Sequence, residues 1–246
     1  MGGHREDFSP LHPPIWLAHC LPRRCAVHAP ACSSNMSAQL MAELVRRTSR
    51  HGSFNARDIV TRSGTRRRGD IPSRFGFLDW EAPLERDALY RLDASWSCTA
   101  LIPQPGQWVI PCRHEDSFRY TPDSATQLRC GSITVFECKP EKDLHGEMKR
   151  RLRAVHTYLS DLGIDFKVLT ERDLPASCRQ ANAELLSKHY QAALKPAHVQ
   201  RLQALTRSSS SKTFGQLVQT LGLQHARLAL ARGFLFFDTA EPLGKV

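Results

Sequence analysis

The sequence predicts an α/β (α+β) fold in which helices flank a mixed sheet, followed by a small helical unit at the C-terminus. Three observations lead there. Ile133–Cys138 (ITVFEC) is an unbroken run of β-branched and aromatic residues, the strongest strand signal in the chain. Pro140 ends it, and Leu144, Met148, Leu152, Val155 and Leu159 then recur at helical spacing until Gly163, a helix stop. Residues 164–169 (IDFKVL) read as a strand again. Strand, crossover helix and strand make a βαβ unit, whose two strands are expected to be parallel neighbours.

The remaining elements are placed around that unit. Residues 82–92 carry a proline in the first turn and apolar positions at 84, 88, 89 and 92, the stripe of an amphipathic helix. Glu85 then borders the buried face. Residues 107–112 (QWVIPC) and 117–120 resemble two strands joined by His114-Glu115-Asp116, with 124–128 continuing the second strand and Cys130-Gly131-Ser132 as a turn. A last core helix is expected over 174–194. The core is therefore a helix, three antiparallel strands, a helix, a fourth strand and a helix, starting near Leu78 and ending at 195. From 196 to 246 a helix (197–206), a polar linker (207–212), two short helices (TFGQLVQTLGL and HARLALARG) and a strand (234–238) suit a winged-helix module, which binds DNA or protein.

Upstream of the core the patterning changes. Residues 1–40 are rich in Pro, His and Cys near their start, lack a helical or strand period over 1–35, and are expected to be a disordered tail or an over-extended gene start ahead of Met36 or Met41. Residues 37–47 (SAQLMAELVRR) read as a short amphipathic helix. Cys20, Cys25, His28 and Cys32 carry zinc-ligand chemistry, but four ligands crowded into so short a stretch match no finger spacing, and the tail reading is preferred. Residues 41–77 form a basic arm: nine arginines lie between 41 and 75 against Glu43, Asp58 and Asp70, with no apolar period to bury. Arg62, Arg66, Arg67, Arg68 and Arg74 are its candidate phosphate contacts.

Composition narrows the function classes. The 246 residues are 41% hydrophobic and 24% charged, ordinary for a globular protein and unlike a disordered one. A formal net charge of +10 favours a polyanionic partner such as nucleic acid. No apolar run is long enough to span a membrane, and the N-terminal residues lack the pattern of a signal peptide. A cytoplasmic protein with its eight cysteines reduced is the expectation.

The chemistry concentrates between 122 and 139. Side chains two apart on a strand share a face, so Glu137 and Lys139 point one way while Phe136 and Cys138 point to the core. Asp123 lies fourteen positions before Glu137, across a turn. At a neighbouring strand end it would bring two carboxylates and an ammonium together. Carboxylate oxygens suit Mg²⁺, which polarises a phosphodiester, and the Cys138 carbonyl is a further oxygen ligand. A lysine beside such an ion stabilises charge on the phosphoryl oxygens. A surface strand ending in an exposed Glu-x-Lys is the plainer alternative.

Pro122-Asp123 followed by Glu137-Cys138-Lys139 resembles the PD-(D/E)xK restriction-endonuclease-like superfamily. More closely, GDIPSRFGFLDWEAPLERDALYRL, IPQPGQW, YTPD, VFECKP and DFKVLTERDL resemble, in order, TnsA-like endonuclease subunits of heteromeric (TnsABC-type) transposases. The C-terminal unit is similar to the winged-helix-like part that follows the nuclease core in that family. The resemblance implies a restriction-endonuclease-like core over 78–195 with catalytic Glu85, Asp123, Glu137 and Lys139. It also implies metal held by Glu85, Asp123 and Glu137, with Mn²⁺ able to replace Mg²⁺. The implied activity is cutting at the 5′ ends of a mobile element, beside an integrase-type transposase that acts on the 3′ ends and an ATPase regulator. Two positions depart from the family pattern: Ser124 stands where an apolar residue usually follows Pro-Asp, and Ala82 where a small hydroxyl residue often precedes the Leu-Glu pair. The competing readings are a stand-alone restriction or repair nuclease, and a catalytically silent scaffold that binds DNA and transposase.

Overall fold

A computed structural model describes residues 68–95, 97–112, 116–190, 192–207, 213–232 and 242–243. The tail, the Cys20, Cys25, His28 and Cys32 quartet, the helix expected at 37–47, Arg62, Arg66, Arg67 and the strand expected at 234–238 lie outside these residues. The central sheet has the order β3 (Cys98–Pro103), β6 (Ser124–Leu128), β7 (Ile133–Cys138), β8 (Asp165–Leu169). Its first three strands are antiparallel, and β7 and β8 are parallel, as the βαβ pattern requires.

Three antiparallel strands are present, but not the three expected. β4 (Trp108–Ile110) and β5 (Phe118–Tyr120) pair with each other as a separate ribbon, and β6 leaves that ribbon to enter the main sheet. The missing member is β3, whose CTALIP stretch is too mixed in composition to announce a strand. Its Ile102 pairs with Ala125 and its Pro103 with Ser124. Pro103 has no N–H, which the first or edge position of a sheet tolerates, and β3 is an edge strand.

Helices cover both faces of the sheet. α1 (Pro83–Asp93) packs Leu84, Ala88 and Leu92 against Phe136, Cys138 and Leu169. α2 (Gly146–Asp161) packs Leu152, Val155 and Leu159 against Ile133, Val135 and Phe166. The fully buried ones, Val155 and Leu159, each contribute about 1.5–3 kcal/mol. Every residue of β7 is buried, so Glu137 is not a surface residue but sits in line with Ile133 and Val135 under the α2 face. Gly163 ends α2 with φ +70°, the left-handed conformation that favours glycine.

Regular structure starts earlier than Leu78. β1 (Gly69–Ser73) and β2 (Gly76–Trp80) form a hairpin, and Ile71 and Leu78 bury against Leu89, Tyr90 and Leu101. The last stretch of the expected arm is therefore part of the core. After β8, α3 (Cys178–Ser187) is shorter than expected because Ser177 caps it and Pro175 precedes it. α4 (Pro196–Arg207), α5 (Phe214–Leu221) and α6 (Leu223–Ala231) follow, with a Thr213–Gln216 capping box opening α5. Leu230 and Ala231 of α6 pack on Leu186 and Tyr190, which anchors the C-terminal helices to α3. Among the described residues no helix is long and apolar enough to cross a membrane.

Candidate active site

The site forms at the C-terminal end of β7, where the strand emerges between α1 and α2. Asp123 precedes β6 directly, and the β6–β7 register sets Ser124 opposite Phe136. One carboxylate is thereby carried to the end of the strand that bears the other. Asp123 Oδ2 accepts a hydrogen bond of 2.7 Å from the Cys138 backbone N–H. Lys139 places its Nζ 2.6 Å from Glu137 Oε1 and 3.9 Å from Asp123 Oδ2. The other Glu137 oxygen accepts a 2.6 Å hydrogen bond from the Tyr120 hydroxyl. Two carboxylates thus share one ammonium at the edge of the core.

Burial governs the electrostatics. It raises the Asp123 carboxyl well above the usual range; Glu137 and Glu85 push further, and Lys139 opposes them. Burial alone would lower the Lys139 ammonium, but Asp123, Glu137 and Glu85 outweigh it and hold it above its ordinary value. Burial, reinforced by the Glu137 carboxylate, carries the Tyr120 hydroxyl far above the phenol range, so it remains a donor. The Cys138 thiol is also pushed well up, first by burial and then by Asp123, which makes it an inert part of the α1 contact.

Glu85 is only partly gathered in. Its Oε2 accepts a 2.8 Å hydrogen bond from the Glu81 backbone N–H, ahead of Pro83 in the first turn of α1. Ala82 has no side-chain oxygen to cap that turn, and Glu85 supplies one from inside the helix. Burial raises the Glu85 carboxyl, and its field reaches Glu137 and Lys139. Among the described residues, no three His, Cys, Asp or Glu side chains close around one point.

The arginines divide differently from the expectation. Arg74, expected on an extended arm, sits in the β1–β2 turn and clamps the hairpin onto the end of α1. Its guanidinium hydrogen-bonds the Asp93 carbonyl and, at 2.9 Å, the Ser95 carbonyl, while its backbone N–H meets Asp93 Oδ1 at 3.2 Å. A cation at a helix C-terminus completes the last carbonyls and opposes the dipole. Arg68 is half-buried beside β1. The exposed basic face among the described residues is instead on α2, where Lys149, Arg150, Arg151 and Arg153 are exposed. Arg151 also stacks on the Phe118 ring, 4.4 Å from its centroid.

Tyr120 and this basic face are the features that residue pattern did not single out. The signal for α2 was available, since KRRLR interrupts an amphipathic helix at its outward positions. Tyr120 carried none, because its partner lies seventeen positions away on another sheet. No protein-family model matches the chain, and no curated protein matches it as a relative.

Proposed function

We propose that this chain is a metal-dependent DNA endonuclease that hydrolyses phosphodiesters at Asp123, Glu137 and Lys139. The observation that carries the reading is the Lys139 ammonium seated between the buried Glu137 carboxylate and the partly buried Asp123 carboxylate. A cation is already accommodated there, and the three acids, counting Glu85, exceed the one ammonium. Hard oxygen donors with surplus negative charge are the donor set of Mg²⁺ or its substitute Mn²⁺, so the residues fit such an ion. Asp123 and Glu137 would hold it, with Glu85 and the Cys138 carbonyl as further oxygens. When bound, the ion polarises a phosphoryl oxygen and acidifies a coordinated water.

The chain's own groups supply the rest. Lys139 donates hydrogen bonds to the phosphoryl oxygens as they gain charge, and its partial burial strengthens that interaction. The Cys138 N–H fixes Asp123, and Tyr120 fixes Glu137, so neither carboxylate has to reorganise when substrate arrives. Lys149, Arg150, Arg151 and Arg153 of α2 meet duplex phosphates, together with Arg62, Arg66, Arg67 and Arg68 of the arm. On the resemblance set out above, the substrate is the end of a mobile element in the cytoplasm. The protein partners are an integrase-type transposase and an ATPase regulator, and the C-terminal helices are a winged-helix-like docking unit.

The test is nicking of a supercoiled plasmid carrying the element's ends, in Mg²⁺ or Mn²⁺, by the wild type beside Asp123→Ala. Metal-dependent nicking should fall by about three orders of magnitude or more in the variant, while salt-dependent DNA binding persists. A requirement for added transposase places the chain in a transposition complex. Binding without cutting in both metals, with the transposase present, replaces this reading with the silent scaffold.

A further inference from the structure

We propose that Tyr120 is a positioning residue for Glu137, and that the β4–β5 ribbon is the device that delivers it. This rests on the site proposed above. The ribbon is three residues per strand and stands apart from the main sheet. A pair of strands that short has little stability of its own. Its inner side chains are nevertheless tied into the core: Trp108 and Tyr120 face each other across the register with ring centroids 6.4 Å apart. Tyr120 also meets the Phe166 ring edge-on at 6.4 Å, and Ile110 is fully buried. Two aromatic neighbours therefore fix the phenol ring, and its hydroxyl is left directed at one atom, Glu137 Oε2.

That contact divides the carboxylate. Oε2 is engaged by the hydroxyl on the core side, and Oε1 by Lys139 on the side that opens to Asp123. A carboxylate torsion is broad and nearly two-fold, so without the hydroxyl Glu137 would be held at Oε1 alone, by Lys139, and its last bond would be less well fixed. It is only 4% exposed, so water does not compensate a lost partner there. A phenylalanine would fill the same space between Trp108 and Phe166. The hydroxyl is needed only for Glu137, and an outer partner that orients a ligand in this way commonly governs metal affinity.

The experiment is a Mn²⁺ titration of wild type and Tyr120→Phe, followed by thermal shift and by the free-Mn²⁺ electron paramagnetic resonance signal, with nicking measured in parallel. The half-saturating Mn²⁺ concentration should rise roughly 10- to 100-fold in Tyr120→Phe. Nicking at saturating Mn²⁺ should recover to within a few-fold of wild type. In a Glu137→Gln background the same substitution should change metal affinity no further, because its effect passes through Glu137. An unchanged half-saturation with a uniformly lower Tm would make Tyr120 a packing residue and overturn the inference alone. A wild type that shows no Mn²⁺ response overturns the site reading as well. Should Tyr120→Phe fail to fold, the double variant with Glu137→Gln decides: folding like Glu137→Gln alone supports the coupling, and unfolding refutes it.

Discussion

Two regions of this protein bury a carboxylate against a cation, and they do so with opposite charge balance. At the end of α1, Asp93 is 1% exposed and is met by Arg74, with Tyr190 adding a hydrogen bond. One acid faces one base, and every strong group there has a local partner. At the end of β7, Asp123 and Glu137 share Lys139, and Glu85 adds a third negative field. Burial raises Asp93 and Asp123 alike, but Arg74 works against the rise at Asp93, whereas Glu137 adds to it at Asp123. A matched pair fastens a hairpin to a helix. An unmatched cluster stores repulsion that a retained proton relieves and that an added cation would relieve as well, and this surplus is what sets the cluster apart from a brace.

The comparison breaks most sharply when each cation is removed. Lys139→Met should lower cutting by about 10²–10³-fold while Mg²⁺ restores most of its thermal stability, since the ion replaces the missing charge. Arg74→Met leaves Asp93 buried without its partner and should cost about 3–5 kcal/mol, with no recovery in Mg²⁺. Thermal melts of both variants with and without metal decide this, and equal metal rescue at the two sites would erase the distinction.

The pH dependence sharpens it further. Asp123 and Glu85 have folded-state values above their unfolded ones, so their contribution to stability is full below about pH 4 and is lost as pH rises through the folded values. Metal-free protein should therefore lose stability on going from acid to neutral pH. The stabilisation by Mg²⁺ should grow over the same interval. In Asp123→Ala both trends should flatten, which differential scanning calorimetry across pH would read.

The smallest effect concerns DNA. Lys149→Ala and Arg153→Ala should each reduce the salt slope of duplex binding by roughly one, without altering the melting temperature appreciably. Arg74→Lys, if it folds, should leave that slope unchanged. Filter binding over a salt series separates the phosphate contacts from the brace.

Much of this was legible in the residues, unevenly. α1, β7, α2 and β8 were readable because each carries its own period over enough residues, and Pro83, Pro140 and Gly163 mark their limits. The approach of Asp123 to Glu137 and Lys139 was readable because one turn separates their strands. The β1–β2 hairpin was hidden by its arginine- and glycine-rich setting: Ile71 and Leu78 are too few to make a pattern until Leu89 and Leu101 cover them. β3 was hidden because its partner β6 follows twenty or so residues later, beyond an intervening ribbon.

The sequence by itself determined α1, β7, α2 and β8, the βαβ crossover and the closeness of the acids and the base around β7, because periodicity, proline and glycine act within a few residues. Tertiary structure alone decided which strands pair and that Glu137 is buried rather than exposed. It also decided that Arg74 is a brace and that Tyr120 reaches the site. These depend on distant segments meeting, and the energy of a buried charge is set by whichever neighbours the fold happens to bring within a few ångströms of it.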